Sequence, residues 1–169
     1  MDIKKELLKE HSKKQTTRLV NYIGNDPQRF KVLVSAFLDG PYRITQRAAW
    51  PLSYCVQDHP SLIKPHLKAV LKMLDKPAAH VAAKRNILRF LQDIEIPKRY
   101  YGLLADRCFT LMDPEETIAV RVFAMTVLAN IAKEEPDLRN ELKIAIEDQL
   151  PYGSAGFLSR ARKVLKQLD

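Results

Sequence analysis

The chain has 169 residues, 46% of them apolar, with two cysteines, five glycines and a formal net charge of +8. A chain of this length hides about 70% of the surface that its unfolded form exposes, and the apolar share excludes a globally disordered polymer. The absence of any long uninterrupted apolar run excludes a membrane-spanning helix, and the lack of a Cys-x-x-Cys pair excludes the usual thiolate metal and redox motifs.

Leu, Ala, Lys, Arg and Glu dominate the composition, which favours helix throughout. The opening segment MDIKKELLKEHSKKQ is charged and lacks the apolar core of a secretory signal, so a soluble, cytoplasmic protein is expected. TTRLVNYIGNDP, from Thr16 to Pro27, is a loose first copy of a pattern that then recurs, with Arg18 in its arginine position. The clearer copies are QRAAWPLSYCVQDHP, KRNILRFLQDIEIP, VRVFAMTVLANIAKEEP and SRARKVLKQL. Their arginines, Arg47, Arg85, Arg121 and Arg160, stand 38, 36 and 39 residues apart. The first three of these blocks run to a proline (Pro60, Pro97, Pro136), where a helix must end, and a second helical stretch follows.

Within the copy at Arg121, Val120, Phe123, Ala124, Val127, Leu128 and Ile131 share one helical face. Asp137 occupies an N-cap position, and Leu138, Leu142, Ile146 and Leu150 form the stripe of the next helix. After the copy at Arg47 the second helix carries Leu62, Ile63, Leu67, Val70, Leu71 and Leu74. A single hairpin of this kind cannot cover its apolar side, but stacked neighbours can. The last helix, from about Ser154 to Leu168, reads as a closing half-repeat, and a monomer is expected.

The Val-Arg pair followed by Ala124, Leu128, a proline and a leucine-rich second helix resembles HEAT repeats and their armadillo-like relatives. The resemblance spans roughly residues 12 to 169 and is specific for architecture, since the family serves many functions. It implies an all-α fold: a right-handed α-α superhelix of about four helical hairpins plus a C-terminal capping helix, forming one solenoid domain over residues 1–169. First helices would lie on the convex side and second helices would line a concave groove.

The stretch RAAWPLSYCVQDHPSLIKPHL gathers residue types that also occur in active sites. Laid on the Arg121 copy, Trp50 and Tyr54 take the inward positions of Ala124 and Leu128, so they are expected to pack. Cys55 and His59 have the four-residue spacing of helical metal ligands, but no second matched pair completes a site. Cys55 and Cys108 read as buried, reduced thiols. Pro51, inside the first helix, is expected to bend or break it. There is no glycine-rich phosphate loop, no paired His-Glu metal motif and no nucleophile elbow, so neither catalysis nor a cofactor is expected.

The residues that remain for function are those facing away from the core on the second helices. Lys64, Lys68 and Lys72 recur at intervals of four and continue to Lys76, and alignment through the prolines adds Lys31, Tyr101, Phe109, Arg139 and Lys143. A basic groove with an aromatic or two suits an acidic helix or peptide of a partner protein. Nucleic acid is the alternative, although Asp39, Asp106, Glu147 and Asp148 dilute the charge. A group within the HEAT-like fold, the alkylpurine DNA glycosylases, carries a tryptophan followed four residues later by an essential aspartate, with an arginine about one repeat on. Here Trp50 is followed by Tyr54 at that distance, with Arg85 and Arg89 downstream. The resemblance therefore implies DNA binding without the carboxylate that would stabilise a departing cationic base.

Overall fold

The computed structural model describes residues 1–76 and 80–169. Among them there are ten α-helices joined by short loops and 3₁₀ turns, with no strand. The helices fall into two compact units, Met1–Ile94 and Glu95–Asp169.

The first unit contains α1 (Ile3–Lys9), α2 (Lys13–Ile23), α3 (Pro27–Asp39), α4 (Tyr42–Asp58), α5 (Leu67–Leu71) and α6 (Val81–Leu91). Its starts are set by side-chain caps: Asp2 accepts from the Lys5 amide, Ser12 from Gln15, and Asp26 from both Gln28 and Arg29. Helix α2 ends at Gly24, whose φ of 50° lies in the left-handed region that glycine enters without a Cβ clash. The charged opening segment is more than a solvated start. Ile3 and Leu7, one turn apart, are buried, and Glu6 accepts from the Gln15 side chain at 2.9 Å and from Arg18 at 3.1 Å.

Helix α4 continues from Tyr42 to Asp58 with Pro51 inside it, so the proline does not break the helix. The proline removes one backbone bond at a cost of about 3 kcal/mol. Around it Ala48, Ala49, Leu52, Cys55 and Val56 are all fully buried, and burial of each larger apolar side chain returns roughly 1.5–3 kcal/mol. Packing on α3 and α6 therefore outweighs the missing hydrogen bond.

The stretch after Pro60 departs from the continuous helix that its periodicity suggests. It consists of a 3₁₀ turn (Pro60–Ile63), the five-residue α5 and a second 3₁₀ turn (Lys72–Asp75). Pro65 has no N–H to give, so the helical ladder cannot pass through it. The apolar positions nonetheless land where the pattern puts them: Leu62, Ile63, Leu67, Val70, Leu71 and Leu74 are all buried.

The second unit contains α7 (Tyr101–Leu111), α8 (Ile118–Glu134), α9 (Leu138–Glu147) and α10 (Ala155–Leu168). Val120, Ala124, Val127, Leu128 and Ile131 form the buried face of α8, which stops two residues before Pro136. Asp137 precedes α9 as expected but makes no side-chain cap; its own backbone is already α-helical, within a turn closed by Leu138 N–H to Glu135 O at 3.1 Å. Ser154 caps α10, which packs on α8 and α9 through the buried Phe157, Ala161 and Val164.

Candidate partner-binding surface

In the first unit Lys31 lies on α3, Lys64 between the 3₁₀ turn and α5, Lys68 on α5, and Lys72 where the second 3₁₀ turn begins. All four are exposed, and among the described residues none has a carboxylate within ion-pair distance. Lys31 comes close to the 60–76 segment. Burial first, and the Lys31 ammonium second, hold the His66 imidazole below its usual range, and Phe30, the neighbour of Lys31, places its ring 5.9 Å from that imidazole. Helix α3 and the broken segment thus present their lysines from adjacent elements.

The second unit treats its expected residues differently. Arg139 is exposed, but its Nε donates to the Ala132 carbonyl at 3.2 Å near the end of α8. Lys143 donates to Asp169 at 3.1 Å, which raises its affinity for its proton. Tyr101 and Phe109 are half-buried on α7. Two cationic heads of this set are therefore engaged within the unit.

Trp50 and Tyr54 are half-buried rather than fully inward. Their rings are 6.2 Å apart, and both are larger than the Ala124 and Leu128 that fill the corresponding buried places, so their outer edges reach the surface. Tyr54 and Asp58 line a shallow groove with Lys13, Thr17, Val20 and Asn21 of α2, and the Arg89 guanidinium lies 6.0 Å from the Tyr54 ring. Cys55 and Cys108 are buried free thiols, both pushed up to about 12 by desolvation. Among the described residues no three His, Cys, Asp or Glu side chains are grouped to hold a metal ion.

The repeated arginines have a role that the spacing alone did not disclose. Arg47 donates to the Leu7 and Leu8 carbonyls at 3.1 and 2.9 Å, closing the end of α1. Arg121, almost fully buried, donates to Gln149 Oε1 and lies 4.5 Å from the Phe157 ring centroid. Gln149 in turn donates to the Met112 carbonyl at 3.1 Å. Arg160 donates to Thr126 on α8. Within each unit these arginines tie one element to another; recurrence at a fixed interval was the available signal.

The helix pairs and repeated arginines have a counterpart among known families: the model of the HEAT repeat domain matches residues 3–168. The chain belongs to the HEAT repeat family. The match takes in α1, so the HEAT repeat region begins before the residue-12 boundary that the internal copies suggest. No curated protein and no solved structure matches the chain. HEAT repeats commonly mediate protein interactions, and a helical repeat scaffold is the role that the family suggests. No helix among the described residues is long and apolar enough to cross a membrane.

Proposed function

We propose that this HEAT repeat protein is a non-catalytic docking module that binds an acidic segment of a partner protein along Lys31, Lys64, Lys68 and Lys72. The observation that carries the reading is the set of four exposed lysines on adjacent elements without carboxylate partners among the described residues. Fixed cations on packed elements favour an extended anionic chain, because each approach releases counterions and little backbone ordering is required of the scaffold. In the second unit Arg139 and Lys143 are held by Ala132 and Asp169, so the reading rests on the lysines of the first unit alone.

The test is fluorescence anisotropy with a labelled poly-glutamate peptide and, separately, random duplex DNA across a salt series. Wild-type protein is expected to bind the peptide with affinity that falls as salt rises, and Lys64→Glu, Lys68→Glu and Lys72→Glu together are expected to abolish binding. Unchanged peptide affinity in the triple variant contradicts the reading. Duplex binding tighter than peptide binding, with a steep salt slope, favours the nucleic-acid alternative.

A further inference from the structure

Helices α2 and α4 pack side by side and run in the same direction. The ring of His11, just ahead of α2, is 5.9 Å from Trp50, and one and two turns further along α4 Tyr54 and Asp58 face α2 across a groove. The groove has a volume of about 280 Å³, with Lys13, Thr17, Val20 and Asn21 on one wall and Tyr54 and Asp58 on the other. Residues three and four apart share a helix face, so each set forms one ridge. In the Arg121 copy the matching Leu128 is fully buried, whereas the larger, polar-tipped Tyr54 stays half-buried and stands as a wall.

The polar heads that line this groove are unspent. Among the described residues the Lys13 ammonium, the Thr17 and Tyr54 hydroxyls, the Asn21 amide and the Asp58 carboxylate make no hydrogen bond or ion pair. Their neighbours are committed: Arg18 to Glu6, Gln57 to Asp93, and the Arg89 guanidinium lies 6.0 Å from the Tyr54 ring. Tyr54 and Asp58 are half-buried, where an unmade hydrogen bond costs more than on open surface. The charges are also sorted by position. Lys13 opens α2 and Asp58 closes α4. Counted from the level of His11 and Trp50, they stand about 9 Å apart along the helices at the α-helical rise. A ligand of one sign meets an opposing charge somewhere in the groove, and an apolar one strands the polar heads. A ligand that carries both signs at that separation satisfies both ends.

We propose that the groove between α2 and α4 binds a short extended segment of a partner protein, an acidic side chain against Lys13 and a basic one against Asp58. In the polyproline II conformation residues three apart point the same way and lie about 9 Å apart, which matches the spacing of the two charges. That conformation leaves its peptide N–H and C=O groups unpaired, and the Thr17 hydroxyl and Asn21 amide can meet them. Val20 and the Tyr54 ring supply apolar contact between the polar ends. The groove shares no residue with the lysine row, which calls for a ligand of one sign, so the two assignments stand or fall separately.

The test records backbone amide spectra of the full chain during titration with three end-blocked tetrapeptides, Glu-Ala-Ala-Lys, Glu-Ala-Ala-Glu and Lys-Ala-Ala-Lys. The mixed peptide is expected to shift the signals of Lys13, Thr17, Asn21, Tyr54 and Asp58 and to leave those of Lys64, Lys68 and Lys72 in place. It is expected to bind about fivefold more tightly than either single-sign peptide. Lys13→Gln is expected to erase its advantage over Lys-Ala-Ala-Lys, and Asp58→Asn its advantage over Glu-Ala-Ala-Glu. Both side chains are without internal bonds among the described residues, so both variants are expected to keep the wild-type urea midpoint; should one not fold, the other decides. Equal binding of the three peptides, an advantage that survives the substitutions, shifts centred on the lysine row, or no shift at all overturns the groove.

Discussion

At the scale of single residues, the ionisable groups that are not simply solvated serve the packing of the helices. His66 and His80 are both held below the ordinary 6.5, chiefly by burial, then by Lys31 in one case and by Arg85 and His11 in the other. Each imidazole binds its proton less readily folded than unfolded. Their contribution to stability is therefore complete above pH 6.5 and is lost as pH falls below it. For His80 the loss has a visible cause, since protonation of Nδ1 abolishes the cap on Ala82. Glu6, lowered first by Lys9 and then by Gln15, adds a further loss in more acidic solution, below its ordinary 4.5. Urea midpoints measured from pH 8 to pH 4 are expected to decline from about pH 6.5 downward. Flat midpoints across that range would contradict the placement of both histidines.

At the scale of elements, Phe157 is the keystone of α10. It is fully buried, and its ring receives the Arg121 guanidinium. Phe157→Ala is expected to cost about 3–5 kcal/mol by the cavity it leaves, together with a weaker hold on Arg121; a loss under 1 kcal/mol in urea denaturation would show that α10 packs by other contacts. Helix identity was well marked in the sequence, because apolar residues at three-and-four spacing repeat in every copy. The predicted positions of the 60–76 segment are buried, as are those of α8 apart from the half-buried Phe123, while Val122, Met125, Ala129 and Ala132 bury further faces of α8 that the pattern did not mark. Backbone continuity was less legible. One proline is absorbed in α4, where fully buried neighbours surround Pro51, while Pro65 interrupts a segment too short to compensate. Proline chemistry is local, but its outcome depends on tertiary packing that single-chain periodicity does not encode. The same limit applies to Arg139 and Lys143. Their helical phase was readable, and their engagement by Ala132 and Asp169 depends on partners brought close by folding.

At the scale of the whole molecule, a net charge of +8 and membership of the HEAT repeat family together describe a basic helical scaffold. Charge of this size promotes encounter with anionic partners at long range, and specificity must come from where the cations are fixed. Acetylation footprinting of the lysines, with and without a saturating acidic peptide, reads that placement directly. Protection is expected at Lys31, Lys64, Lys68 and Lys72, with the lysines of α10, Lys163 and Lys166, unaffected. Equal protection of every lysine, or protection centred on α10, would contradict a docking face built from α3 and the segment after Pro60.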